Sequence, residues 1–501
     1  MELLGNLAIG MGVVFEPTVL FYCFLGVTLG TLIGVLPGIG PLTGISLLLP
    51  LTFHLDPTTA VVMLAGVYYG SQYGGSTASI LLNIAGTASS AVVCLEGYPM
   101  AQKGRAGVAL CLVALCSFFG SVFGIIILAV AAPTLAAVAL KFSAPEYFAL
   151  MVLGLVAASL FSSGSQLRGI ASVVLGMFVG VIGMDVVSGQ FRFTFGSLAM
   201  SDGVNLVAIA LGLFGVAEVI SAATSGEKRG SAYDVSLRSM IPTRQDMREF
   251  TAPSTRGSIV GSILGILPGA GPTISSFLAY TLEQRTSRNP EKFRKGAIEG
   301  LVAPEAANNA AAQTGFVPTL TLGIPGDPVM ALILGALIVH GITPGPVFIQ
   351  ENPVMFWGLI ASFLVGNVML LVLNIPMIGI WVRLLSIPSK YLYPGVVALI
   401  CVGVYSIDRS SADIVVVLVC GLIGYGMRLL RFDPASVLLG LVMGPMIEES
   451  LRRSMIMSRG DLVGMFVARP IALVLLAAAV LMICWMVVGT IRRSRENRLA
   501  V

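Results

Sequence analysis

The 501-residue chain is 56% hydrophobic and 11% charged, with a net charge of +4, against roughly 25% charged residues in a typical soluble domain. No soluble fold hides that much apolar surface, and so small a positive charge points away from nucleic acid as a partner. A spanning helix needs about 20 apolar residues, and the long continuous runs here lack the alternation of barrel strands, so the fold class expected is an all-α polytopic protein embedded in membrane lipid.

The first segment, Met1 to Val19, carries Glu2 and Glu16 but no Lys or Arg. Without the basic n-region of a cleavable signal peptide it is expected to stay attached. Apolar runs follow at Val108 to Leu140, Ile170 to Ile182, Val204 to Ala223, Phe356 to Trp381 and Ile471 to Val488, and their arithmetic predicts roughly 10 to 13 transmembrane segments. The seven cysteines are scattered with no CxxC pair and read as small core residues.

The most specific feature is an internal repeat. Gly26 to Pro41 reads GVTLGTLIGVLPGIGP and Gly257 to Pro272 reads GSIVGSILGILPGAGP, a constant offset of 231 (257 − 26). Ordinary small-residue helix interfaces explain the four-residue glycine spacing but not the shared LPGxGP ending. A helix reaching Pro37-Gly38 must stop, since Pro lacks the amide donor and Gly costs about 1 kcal/mol relative to Ala. Non-helical backbone at membrane depth survives only inside protein or beside a watery cavity, so both turns are placed inside the bundle.

Loop charge orients the copies. Thr52 to Pro57, after the first LPGxGP, has no Lys or Arg. Glu283 to Lys295, after the second, has Arg285, Arg288, Lys292, Arg294 and Lys295. A second pair behaves alike: the loop with Lys103 and Arg105 is basic, while His340 to Pro353 has neither residue. Two inverted-topology repeats are therefore expected. Residues 1–225 form the first, with a broken helix or hairpin at 26–52 and a second broken element at 69–91. A basic cytoplasmic linker at 226–256 precedes the second repeat, 257–470, which has a broken hairpin at 257–282 and a second broken element at 303–330. The last transmembrane helix and a basic cytoplasmic tail take 471–501.

Half-helix N-termini, hydroxyls and amides suit an anionic substrate, while carbonyls at the opposite ends suit a coupling cation. The substrate-binding candidates are Gly38, Gly40, Thr43, Ser76, Thr77, Asn83 and Thr87 in the first half. In the second they are Gly269, Gly271, Thr273, Asn308, Asn309, Thr314 and Asp327. Backbone near Gly38, Gly269 and Asp327 is the candidate for Na⁺. Glu305 and Asp327 sit in the broken stretches, where an ionisable group is a cation ligand or proton carrier by default; the competing reading makes Asp327 a helix cap. Glu218, Glu448 and Glu449 lie near span ends, where a solvated or interface role is expected, and His54 and His340 make no metal pair. No phosphate-binding GxxxxGK[ST], nucleophile elbow or HExxH occurs, so no catalytic residue is assigned and the chain is not expected to be an enzyme.

With these motifs laid out, the chain resembles the large membrane subunit, a TctA-like permease, of the bacterial tripartite tricarboxylate transporter family. The likeness runs essentially end to end. It rests on GTLIGVLPGIGP (Gly30 to Pro41), YYGSQYGGSTASILLNIAGTASS (Tyr68 to Ser90), LEGYPMAQKGRA (Leu95 to Ala106) and GLFGVAEV (Gly212 to Val219). It continues with GSILGILPGAGP (Gly261 to Pro272), APEAANNAA (Ala303 to Ala311), TLGIPGDPVMALILGAL (Thr321 to Leu337) and GPMIEESLRRS (Gly444 to Ser454).

The resemblance implies a small four-helix membrane subunit and a periplasmic solute-binding protein as partners, both supplied by other chains. It implies uptake of a di- or tricarboxylate such as citrate, driven by Na⁺ or H⁺ with no other cofactor, at the bacterial inner membrane with a cytoplasmic C-terminus. Homodimerisation of the complex, the carboxylate itself, and elevator versus rocking motion stay open. An anion channel and a membrane enzyme are the rival readings.

Overall fold

A computed structural model describes residues 2–36, 39–160, 165–185, 188–196, 200–201, 203–225, 235–385, 389–408 and 411–499. Among these, the strands are a two-stranded antiparallel ribbon pairing Gly183 with Arg192 and Met184 with Phe191; the rest of the regular structure is helical.

The first half runs α1 (Glu2–Val14), α2 (Pro17–Val35), α3 (Pro41–Thr52), α4 (Pro57–Leu82), α5 (Val93–Met100), α6 (Ala106–Ala139), α7 (Ala144–Leu160) and α8 (Gln166–Gly180), then α9 (Leu206–Ala210) and α10 (Ala217–Ser225). Pro17, Pro41 and Pro57 open their helices, where a fixed φ helps and the missing N–H has no partner to lose. The second half holds α11 (Arg244–Ile266), α12 (Gly271–Thr286), α13 (Ile298–Thr314), α14 (Phe316–Leu322), α15 (Pro328–Val339), α16 (Phe348–Glu351), α17 (Pro353–Asn374) and α18 (Ile378–Leu384). It closes with α19 (Ser389–Asp408), α20 (Ser411–Leu429), α21 (Pro434–Met457), α22 (Leu462–Ala468) and α23 (Pro470–Leu499).

Among the described residues, five helical stretches are long and apolar enough to cross a bilayer: Pro17–Val35, Ser89–Ala139, Pro353–Asn374, Ala412–Leu429 and Pro470–Val488. The chain is thus an all-α polytopic membrane protein. Several further apolar helices, including Pro41–Thr52 and Pro328–Val339, are shorter, as expected where spans are interrupted. The Ala412–Leu429 and Pro470–Val488 stretches are only 22% and 17% buried. Their outward Leu422, Leu481 and Trp485 match the solvent properties of lipid.

The repeat visible in the sequence recurs as packing. A methyl group built on Gly26, Gly30 or Gly34 would meet the carbonyl oxygen of Met63, Val67 or Ser71 at 2.4, 2.5 and 2.2 Å. On Gly257, Gly261 and Gly265 it would meet those of Ala303, Ala307 and Ala311 at 2.1, 2.1 and 2.6 Å. The glycines stand 231 residues apart, their partners 240 (303 − 63), so α2 lies on α4 in the register in which α11 lies on α13. The nine-residue difference between the two offsets is taken up between the first and second elements.

The breaks repeat too. Leu36 (φ −82°, ψ 106°) and Leu267 (φ −84°, ψ 121°) leave α2 and α11 in extended conformation, 231 residues apart. Asn83 (φ 58°, ψ 30°) and Gly323 (φ 66°, ψ 23°) end α4 and α14 in the left-handed region, 240 apart. One boundary differs from expectation: α11 begins at Arg244, inside the linker expected to reach 256. There Thr243 and Asp246 form a reciprocal capping box that starts the helix early. Residues 226–234 of that linker lie outside the described residues.

Loops grouped by charge are also grouped in space. His340 Nε2 is 3.5 Å from Thr52 Oγ1, joining the two loops without Lys or Arg. Lys103 Nζ donates to Lys295 O at 2.5 Å and Arg105 pairs with Asp246 at 2.7 Å, joining the basic ones.

Candidate functional site

The two broken elements of each half meet at one cavity of about 350 Å³, within the size range of small-ligand sites. Four helices of twelve residues or more bring their N-termini to its wall. These are α3 with Gly40, Pro41 and Thr43, α12 with Gly271, Pro272 and Thr273, α15 with Asp327 and Pro328, and α21 with Asp433, Ala435 and Ser436. Each has a proline in its first turn, which stops the preceding backbone from continuing as helix. Helix N-termini carry free N–H donors and partial positive charge, so their convergence favours an anion.

The turn preceding α12 leaves no room for a side chain. Gly269 has φ +85°, its N–H donates to Gly326 O at 2.8 Å, and a methyl there would lie 2.5 Å from Ala158 N. Gly271 (φ +54°) faces Asp327 Cβ, 3.1 Å from where its own Cβ would stand. Asp327 accepts from the Met330 N–H at 2.9 Å and from the Tyr68 hydroxyl at 2.7 Å. It is therefore the helix cap that one reading of the sequence held, and it also sits at the site. On the α4 side, Ser89 Oγ donates to Gln72 Oε1 at 2.7 Å, and both line the cavity.

Of the residues singled out in the sequence, Gly40, Thr43, Thr87, Gly269, Gly271, Thr273 and Asp327 line this cavity. Gly38 lies outside the described residues. Ser76, Asn308, Asn309 and Thr314 do not reach the wall. Ser76 and Asn309 bond to Glu305 instead, Asn308 is fully buried beside them, and Thr314 bonds back to Ala310 O at 3.0 Å. Thr77 is buried away from the wall, and Asn83 serves as the left-handed end of α4.

The model of the Tripartite tricarboxylate transporter TctA family matches residues 20–439. The chain belongs to this family. Its relatives include a 52.8 kDa protein of Agrobacterium vitis, described as uncharacterized in the TAR-I ttuC′ 3′ region, 48% identical over 500 residues and 99% of each chain. A second protein of that organism, uncharacterized in the TAR-II ttuC′ 3′ region, is 49% identical over 237 residues, 47% of this chain and 98% of its own length. TctA proteins form a transporter family, not an enzyme family, and they act as parts of tripartite systems with further subunits.

Several wall residues of this TctA chain escape a reading of the motifs. Glu218, expected in a solvated or interface role, lines the cavity and pairs with Arg428 there. Arg428 ends α20 and Asp433 begins α21, where it accepts from Ala435 N and Ser436 Oγ at 3.2 and 2.8 Å. The one usable sequence signal was charge close to apolar runs. Glu448 and Glu449 behave as expected of span ends, pairing with Arg192, Arg452 and Arg453.

Proposed function

We propose that this chain is the permease subunit of a binding-protein-dependent secondary transporter importing a citrate-like di- or tricarboxylate by Na⁺ or H⁺ symport. One observation carries the reading: the glycine-proline turns of both halves, with four helix N-termini, meet at a single cavity. Donors already fixed in place bind an anion without reorganisation. Of the acids on the wall, Glu218 is offset by Arg428, while Asp327 and Asp433 accept the backbone N–H groups that open α15 and α21. The Arg428 guanidinium, with five donors, has more of them than one carboxylate uses, and supplies the fork that fits a substrate carboxylate.

In this reading the halves are inverted in topology, the basic loops around Lys103, Arg105 and Lys295 face the cytoplasm with the C-terminus, and the loops at Thr52 and His340 face the periplasm. A solute-binding protein delivers the anion on that side of the inner membrane, and a small four-helix subunit completes the membrane unit. Alternating access is of elevator type, with the hairpin tips enclosing the cargo against a scaffold.

The test is uptake of labelled citrate, then a carboxylate panel, into proteoliposomes holding this chain, its small partner and its binding protein, with and without an inward Na⁺ or H⁺ gradient. Accumulation above the outside concentration supports symport. Movement that only equilibrates the compartments supports an anion channel, and a chemical product without net movement supports an enzyme.

A further inference from the structure

Glu305 forms a second polar centre, separate from the cavity wall. It is buried in α13 and accepts from Ser76 Oγ at 2.7 Å, Ser117 Oγ at 2.9 Å and Asn309 Nδ2 at 3.1 Å. None of the ion pairs among the described residues includes it, and a buried carboxylate without a counter-charge is costly. Around it the hydrogen bonding is incomplete. Asn308 Oδ1 and Asn309 Oδ1 have no hydrogen-bond partner, while the Asn308 side chain stands close enough to act on the Glu305 carboxylate. Native proteins rarely leave such groups unpaired, and each needs an explanation.

The cluster is what a small hard cation uses: one carboxylate, hydroxyl oxygens and amide oxygens, with no competing base. A monovalent ion neutralises one carboxylate, whereas among the described residues no group of three His, Cys, Asp or Glu assembles for a metal of higher charge. A proton would satisfy Glu305 but leave the amide oxygens as they are. The centre is also linked to the cavity. Tyr68 and Gln72 line the wall, and Ser76 continues the same face of α4 at four-residue spacing, about 6 Å further along the helix.

We propose that Glu305, Ser76, Ser117 and Asn309 bind the coupling ion and that this ion is Na⁺. The assignment rests on the reading of the chain as a cation-coupled carrier, but it is tested without transport. The purified complex, free of substrate, is titrated with NaCl against choline chloride at constant ionic strength, following thermal unfolding and equilibrium binding of ²²Na⁺. The expected result is a saturable, Na⁺-specific rise in the unfolding midpoint. Glu305→Gln, which keeps the volume, should raise the half-saturating concentration at least tenfold. Ser117→Ala, which removes one ligand and leaves the charge, should raise it severalfold, so the proposal is still tested if the Glu305 variant does not fold. No Na⁺ response in the natural protein, or a natural response in both variants, overturns the site, and stabilisation by acid in place of Na⁺ makes Glu305 a proton carrier. Proton-driven citrate uptake with no Na⁺ binding sinks this site and leaves the carrier reading standing; Na⁺ binding with no uptake of any carboxylate does the reverse.

Discussion

Thr87 and Asp327, 240 residues apart (327 − 87), occupy equivalent positions in the two halves. Thr87 Oγ1 accepts from the Ser90 N–H at 3.3 Å and Asp327 Oδ1 from the Met330 N–H at 2.9 Å, each fixing the turn that follows the second break. Both line the cavity, yet only one bears an ionisable group, so the pseudo-symmetric site is chemically one-sided.

The first prediction separates the capping role of Asp327 from its charge. Asp327→Ala removes an N-cap, worth about 1 kcal/mol, and leaves the buried Tyr68 hydroxyl unpaired at about 1–3 kcal/mol. Asp327→Asn keeps an oxygen for the Met330 N–H and should lose less than half as much. Thermal unfolding in detergent measures the difference; equal losses would show that the cap is irrelevant.

Two glycines of matched motifs should behave differently. Gly269→Val places a branched side chain at φ +85° against the Ala158 backbone, at a conformational cost on the order of 1–3 kcal/mol before the clash is counted. It should abolish uptake while membrane insertion persists. Gly40 has an ordinary φ of −75° and nothing within 4 Å of an added methyl, so Gly40→Ala should fold normally and weaken substrate binding alone. A stable Gly269→Val protein with full transport would dismiss the turn from the site.

Arg428 and Glu218 form a pair at the wall, and removing one partner strands the other charge. Arg428→Gln should therefore reduce both stability and uptake, while the double variant Arg428→Gln, Glu218→Gln should recover stability but not uptake. A loss of at least tenfold in kcat/KM, about 1.4 kcal/mol, is expected from the missing carboxylate fork. Uptake restored in the double variant would mean that the arginine only neutralises Glu218.

Acid should loosen the basic-loop end. Burial pushes the Asp246 carboxyl up, but the Arg105 guanidinium and the Thr243 cap outweigh it and hold the carboxyl below its usual 3.8. A depressed folded-state pKa gives stability that is fully present above the unfolded value and lost as pH falls through the folded one. Asp246→Asn should thus be less stable than the natural protein at pH 7, with the gap closing below about pH 3.8. Unfolding midpoints across pH 3–8 test this.

The parts of the fold legible in sequence were those with strong local causes. The sequences LPGIGP and LPGAGP carry prolines and glycines that oppose helix by covalent geometry, and their recurrence at a fixed offset marks the repeat in the sequence itself. The same logic located Gly40, Gly271 and Asp327 at the site. Ser76 and Asn309 read as unusual for a membrane helix, but nothing local says that they turn toward Glu305 and not the cavity. That depends on the rotation of α4 and α13, which packing fixes. Arg428 and Asp433 were illegible for another reason: they flank the short junction between α20 and α21, outside every repeated motif, and tertiary folding alone carries them to the wall.

The glycine contacts between α2 and α4, and between α11 and α13, bear on how cargo can move. Where carbonyls lie against bare Cα atoms, a slip of one residue would drive a side chain into a peptide oxygen, so each pair is built as a single stiff plate. Sliding inside either plate would cost a steric clash, so in the proposed carrier any joints fall where helices have already ended, at points such as Asn83, Leu267 and Gly323.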